Sequence, residues 1–176
     1  MPCNLTAALA IDCLDQVGGI DTVWISTDFE YTSVTADSSD GITAVTGGTG
    51  SFYEFQLSKS GSQFTETFNV SEENGTAFWE QTVTLNIQKL SSAKREQIQL
   101  LSYNRDSRVV IKDNNGIFWM LGLSRGANIT GGTSVSGTNV GEFTGYQGLV
   151  LSASEPEMMY QVQNLAALTG TTFVNA

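Results

Sequence analysis

Apolar and polar residues alternate with period two along much of this chain, the pattern of β-strands with one buried face. Residues 63–70 read QFTETFNV and residues 76–90 read TAFWEQTVTLNIQKL. In the second run Val83, Leu85 and Ile87 share one face, opposite Thr and Asn. In the first run the side chains sharing a face are Phe64, Glu66, Phe68 and Val70. Both runs therefore predict long strands, joined by a turn at EENG.

Turn residues and shorter apolar runs predict the remaining elements. KSGS is expected to join a strand at residues 52–58 to the strand at 63–70, so that three consecutive strands form a meander. DNNG predicts a hairpin with a two-residue turn in which Asn115-Gly116 can take positive φ. The other expected strands cover residues 20–26, 42–45, 107–112, 117–123, 145–153 and 157–162, and YTSVTA at 31–36 could be a strand end.

One helix and two tracts rich in Gly, Ser and Thr interrupt the strands. SSAKREQIQLLSYNRD, residues 91–106, opens with capping Ser residues and contains strong helix formers. Residues 36–51 and 124–142 lack the apolar content to fold alone, so they are predicted as extended loops. Such loops could order on assembly with a neighbour, or could be ordinary mobile loops.

These elements predict a mainly β fold: an antiparallel β-sandwich or barrel of roughly eight to ten strands with one flanking α-helix. The chain reads as a single domain over residues 1–176, because no internal repeat or linker divides it. Residues 1–19 are expected to form an N-terminal arm that ends at a Gly pair.

Charge narrows the possible partners. The net charge is −10, and residues 1–88 hold twelve carboxylates and one base, against six and seven in residues 89–176. Without a basic patch the chain is not expected to coat nucleic acid. No apolar run approaches a membrane span, and no signal peptide is recognisable, so synthesis in a cytoplasm with free Cys3 and Cys13 is expected.

Catalytic chemistry is not indicated. The chain contains no histidine, which removes His-dependent triads and His metal sites. ADSSDG resembles a calcium loop only faintly, since the third acidic position and the distal Glu are missing. The three Trp lie within predicted strands, where aromatic residues usually form core. We therefore expect no enzyme, no cofactor and no metal.

A predicted β-meander is followed by the helix SSAKREQIQLLSYNRD, then by RVVIKDNNGIFWMLGLSRGANITGGT and GEFTGYQGLVLSASEPEMMYQV. This order of elements resembles phage tail tube and related tail-ring proteins, particularly structural proteins of phages that infect Bacteroidetes-type hosts. The opening PCNLTAALAIDCLDQVGGIDTVWIS is similar to the openings of those proteins as well. The likeness spans most of the chain and is least specific over residues 27–50.

This resemblance implies a virion protein, made in the host bacterial cytoplasm, whose subunits form six-fold rings that stack into a hollow tail tube. Partners would be copies of itself and other tail proteins: tape measure, terminator, baseplate and, in a contractile tail, sheath. DNA would pass only as non-specific cargo, and no membrane is involved. Residues expected at contacts between subunits are Asp37, Asp40, Ile42, Val45, Phe52, Arg125, Asn128, Val135 and Val140. The carboxylates expected to line the lumen are Glu54, Glu66 and Glu80.

Other classes of protein remain open at this point. A tail terminator, connector or baseplate-hub protein with the same fold would stop at a single ring. A capsid decoration protein would bind a shell as a monomer or trimer. A carbohydrate-binding β-sandwich module would be a monomer with Trp exposed on one face.

Overall fold

The computed structural model describes residues 14–37, 41–58 and 61–176 of the chain. It places 54% of the chain in strands and 9% in helices. The strands are β1 (Ile20–Ser26), β2 (Ser33–Asp37), β3 (Gly41–Thr46), β4 (Ser51–Gln56), β5 (Gln63–Ser71), β6 (Thr76–Gln88), β7 (Arg108–Asp113), β8 (Phe118–Leu121), β9 (Asn128–Val135), β10 (Gly145–Glu155), β11 (Tyr160–Val162) and β12 (Thr172–Val174). The helix α1 covers Ser92–Tyr103, and a short 3-10 helix covers Leu165–Ala167.

The strands form two sheets. The large sheet has the order β12-β4-β1-β7-β8-β11-β3-β2, and the small sheet has the order β5-β6-β10-β9. Most neighbours are antiparallel, while β11 with β3 and β12 with β4 are parallel. The predicted fold class, a mainly β sandwich with one flanking helix, is confirmed.

The main core fills the space between the two sheets. Val83, Leu85 and Ile87 of β6 are buried there, on the face that their alternation predicts. Val23 and Ile111 of the large sheet oppose them. Side chains of this size each contribute about 1.5–3 kcal/mol on burial, so this layer is the principal contribution to the stability of the sandwich.

A second core lies on the other face of the large sheet. Trp24, Val110 and Phe52 belong to it, although Val23 and Ile111 beside them face the main core. The central strands β1 and β7 are therefore buried on both faces, which explains the continuous apolar run in β7. Since the strands lining the second core all belong to one sheet, that sheet must curve around it.

Helix α1 begins where the sequence predicts. The Ser91 hydroxyl accepts a hydrogen bond from the backbone N–H of Lys94 at 3.3 Å, which caps the helix. Leu101 is buried and Ile98 packs against the main core. The helix ends at Tyr103, three residues before the predicted end, and Asn104 is its C-cap. No helix in the described part of the chain is long and apolar enough to cross a membrane.

The predicted hairpin between residues 52–58 and 63–70 is wrong. β4 pairs with β1 and β12, whereas β5 pairs with β6 in the other sheet. Phe52 consequently packs in the second core, and Phe64 packs against the main core. Period-two alternation shows which side chains share a face, but it does not identify the neighbouring strand. The second predicted hairpin, β5 with β6, is confirmed.

The prediction of an extended loop at residues 124–142 is wrong as well, because β9 lies there and pairs with β10. Within residues 36–51, the short strand predicted at 42–45 is confirmed as β3, which pairs with β2. An edge strand is held by backbone hydrogen bonds along one side, so β9 needs little apolar content; most of its residues are exposed.

The turn between β7 and β8 also differs in detail from the prediction. It is a three-residue loop, in which the Gly116 N–H donates to the Asp113 carbonyl and the Asp113 N–H donates to the Ile117 carbonyl. Only Gly116 has positive φ, at 81°, and Asn115 does not. The Asp113 carboxylate accepts from the N–H groups of Asn115 and Ile117, both at 2.9 Å, which closes the turn.

Predictions made for residues 1–13 and 38–40 lie outside the described residues. They include both cysteines, Asp40 and most of the N-terminal arm.

Candidate functional site

Three of the predicted subunit contacts are core residues instead. Ile42 and Phe52 are 0% exposed and Val45 is 1% exposed, all within the second core. Their side chains cannot reach a neighbouring subunit, so this part of the prediction is wrong. The physical reason is that the segment around β3 is a paired strand that contributes its apolar side chains to its own core.

The remaining predicted contacts occupy edges of two different sheets. Asp37 is exposed at the end of β2, the edge of the large sheet. Asn128 and Val135 bound β9, the edge of the small sheet, and the Arg125 and Val140 side chains are exposed on either side of it. Their role at an interface remains a prediction.

The three predicted lumen carboxylates do not share a surface. Glu54 lies in the large sheet and accepts a hydrogen bond from the Ala176 N–H at 3.0 Å. Glu66 lies on the inner face of the small sheet, opposite Gln81, and Glu80 lies on the outer face. A single acidic surface formed by these residues is therefore excluded, because alternation places Glu66 and Glu80 on opposite faces.

Several exposed apolar side chains lie together at the end of the β5–β6 hairpin, residues 68–79, which we call the arm. β10 pairs with β6 only as far as Trp79, so beyond it the hairpin continues as two strands without a third. Phe68 is 50% exposed and Val70 is 57% exposed, which is unusual for side chains on the inner face of a sandwich.

The inner face of the arm carries apolar side chains, as the inner face of the sandwich does, but in the arm these side chains are exposed to solvent. Phe68 pairs with Trp79 and Val70 with Ala77, on the same face as the pair of partly buried Phe64 and buried Val83. The rings of Phe68 and Trp79 lie 4.5 Å apart between centroids, so the face is a formed aromatic cluster. No described residue of the large sheet covers Phe68 or Val70, which leaves an apolar overhang.

A buried polar network holds the base of the arm. Gln81 is 2% exposed, and its Nε2 donates to Glu66 Oε1 at 3.2 Å and to the Glu157 carbonyl at 3.1 Å. Its Oε1 accepts from the Gly122 N–H at 3.1 Å, and Glu66 Oε1 also accepts from the Met159 N–H at 2.7 Å. These bonds link the small sheet to the large one, so the arm leaves the body in a defined direction.

The arm is strongly acidic. The β5–β6 hairpin carries four carboxylates and no base over residues 63–80, and Glu72 and Glu73 are exposed in its terminal turn. An apolar face beside an acidic tip favours a partner surface that is apolar and flanked by positive charge.

One groove on this chain has those properties. It lies between α1 and the β4–β12 edge of the large sheet, with a volume of about 470 Å³. Its apolar lining includes Tyr53, Phe55, Ile98 and Val174, of which Tyr53 is 51% exposed and Val174 42% exposed. Lys94 lines it on the helix side, and Glu54 is also among its lining residues.

The described residues contain no group of three or more His, Cys, Asp and Glu that could hold a metal ion. Where pKa values are shifted, the cause is local bonding. A hydrogen bond from Lys112 lowers the pKa of Asp21, and a hydrogen bond to Glu157 raises the pKa of Tyr160 to about 12. Hydrogen bonds from Thr138 and Asn139 lower the pKa of Glu142 to about 2.

The sequence prediction did not identify the arm, although one signal was present. β6 has 13 residues, well beyond the usual strand length of about 5–6. Strands this long exceed the width of a small sandwich, so part of the hairpin must project. Alternation assigned Phe68 and Val70 to a buried face, and it could not show that the opposing sheet ends before them.

No protein-family model, no curated protein and no solved structure matches this chain.

Proposed function

We propose that this protein is a structural subunit of a phage tail tube, which assembles with copies of itself into stacked rings around a channel for DNA. The observation that carries the proposal is the arm. An apolar overhang with Phe68 and Val70 half exposed is a surface typical of protein association. The resemblance in element order supplies the particular assembly.

Charge supports a role beside DNA without binding to it. The net charge of −10 disfavours adhesion to the phosphate backbone, so DNA could slide past such subunits. The residues that line the channel are not assigned, because the predicted carboxylates do not share a face.

A carbohydrate-binding module is the less favoured alternative. Trp24 is buried in the second core, and Trp119 packs against the main core. Trp79 stacks on Phe68 in the arm. The Trp side chains therefore do not form the shared exposed face that stacking on sugars requires.

The test is negative-stain electron microscopy beside light scattering at several protein concentrations. The wild-type protein should form rings or tubes with a hollow centre. The variant Phe68→Ser/Val70→Ser should fold but remain a monomer, because the apolar arm face is lost. The matched control, Leu100→Ser/Tyr103→Ser, removes exposed apolar side chains from α1 and should assemble normally.

A wild-type protein that stays monomeric at every concentration, or binds glycans as a monomer, would contradict the proposal. Single rings that never stack would favour the terminator or hub alternative. Binding to a capsid shell as a monomer or trimer would favour the decoration alternative.

A further inference from the structure

The geometry points to a specific docking pair: the arm of one subunit inserts into the groove between α1 and the β4–β12 edge of a second copy of this chain. This inference rests on the proposed function, since it names the partner surface for self-assembly. Three observations favour a second copy as the occupant.

The first observation is that each surface is an inner face of one sheet, in a place where the opposite sheet does not cover it. The arm presents inner-face residues of the small sheet that lack an opposing sheet. In the groove, Tyr53 and Phe55 pair with Ile25 and Val23, which face the main core. Tyr53 and Phe55 are thus inner-face residues of the large sheet. Docking would place the inner face of the arm, from the small sheet of one subunit, against Tyr53 and Phe55 of the large sheet of the next. The two-sheet packing would then continue from one subunit into its neighbour.

The second observation is charge complementarity. The arm ends in Glu72 and Glu73, and the described hairpin has no base. The groove is flanked by Lys94 on its wall and Arg95 beside it on α1. Lys94 Nζ donates to the Gln88 carbonyl at 2.5 Å. Glu54 also lines the groove, but it pairs with Trp24, which faces the second core, so its side chain is on the opposite face of the sheet from Tyr53 and Phe55. Glu96 does not line the groove; it lies four residues before the exposed Leu100, on the same side of α1. Opposite charges in this arrangement steer association and set its register.

The third observation is the position of the two surfaces at opposite ends of β6. Ala77 lies in the arm, and Ile87 lines the groove ten residues later on the same strand. At about 3.3 Å per residue they are roughly 33 Å apart. One subunit can therefore insert its own arm and receive a neighbour's arm at the same time. Such a head-to-tail interface generates a closed ring or an open filament, according to the rotation between subunits.

A charge-swap experiment tests the docking pair. Glu72→Lys/Glu73→Lys places positive charge on the arm, and Lys94→Glu/Arg95→Glu places negative charge at the groove. Each double variant should self-associate at least about tenfold more weakly than wild type in light scattering at low salt, because attraction becomes repulsion. The variant carrying all four changes should recover assembly, and so should a mixture of the two double variants. Circular dichroism confirms that each variant is folded.

The matched control for the arm variant is Asp15→Lys/Glu30→Lys. It makes the same change in net charge as Glu72→Lys/Glu73→Lys, at exposed positions outside both surfaces. It should leave assembly unchanged. If wild type assembles but the double variants also assemble, or the fourfold variant does not recover, the docking pair is wrong while the proposed function stands. A wild type that never assembles overturns both.

Discussion

At the scale of single residues, polar side chains organise the connections between the sheets. The amide oxygen of buried Gln81 accepts from the Gly122 N–H, and its amide nitrogen donates to Glu66 and to the Glu157 carbonyl. Burying an amide that has all of these partners costs little free energy. Removing the amide would leave several buried backbone and side-chain groups without a hydrogen bond, and each would cost about 1–3 kcal/mol of stability. In the alternating sequence Gln81 occupies an inner-face position. The structure shows that one partner, Glu66, lies on the neighbouring strand of the same sheet, and that another, Gly122, follows β8 of the other sheet.

Glu142 provides a residue-scale prediction of pH dependence. Its carboxylate accepts from the N–H and hydroxyl of Thr138 and from the N–H and side chain of Asn139. These bonds lower its pKa to about 2 from an ordinary 4.5. A lowered pKa in the folded state contributes stability above pH 4.5, and that contribution is lost as the pH falls toward 2.

NMR titration of the Glu142 carboxyl carbon checks this prediction. Thr138→Ala should raise the pKa toward its ordinary value, because the hydroxyl donor is removed. The control Thr130→Ala changes an exposed Thr in β9 and should leave the titration unaltered. A Glu142 pKa near 4.5 in the wild-type protein would contradict the hydrogen-bonded geometry.

At the scale of elements, turns and strand lengths decide how the sheets are built. The β7–β8 turn needs one residue in the left-handed region, and Gly116 provides it with φ of 81°. The long β5–β6 hairpin continues past the sheet that it covers, and this mismatch creates the arm.

Gly116→Ala is expected to lower the free energy of unfolding by about 1 kcal/mol, because a Cβ strains a left-handed backbone. Gly131→Ala is the matched control. Gly131 lies in β9 without positive φ, and an added Cβ there meets no atom within 4 Å. That variant should be neutral or slightly stabilising. Urea unfolding measures both, and equal effects would show that the turn conformation is not the cause.

At the scale of the whole molecule, stability is concentrated where strands are buried on both faces. Val109, Val110 and Ile111 of β7 are all 0% exposed, between the two cores. The arm is expected to be the least stable part of the sandwich, because each of its strands pairs only with the other and its apolar face is uncovered.

Hydrogen exchange should reveal this gradient. In the monomer, amides of β7 should exchange only through global unfolding, while those of the arm exchange much faster through local opening. On assembly the arm amides should become protected, and those of β7 should change little. Arm amides that stay unprotected in assembled rings would contradict a role for the arm at the interface.

The sequence alone determined most of the strands, the alternation of their faces, the helix and the fold class, but it did not predict β9 or β12. Periodicity, capping and turn residues act between near neighbours in the chain, so the fates of Val83, Ser91 and Gly116 could be read locally. Only the tertiary structure decided that β4 and β5 belong to different sheets and that Phe52 is buried in the second core. It also decided that the arm extends beyond the large sheet. These outcomes depend on which distant strands pair and where the opposing layer ends, and local pattern carries no information about either.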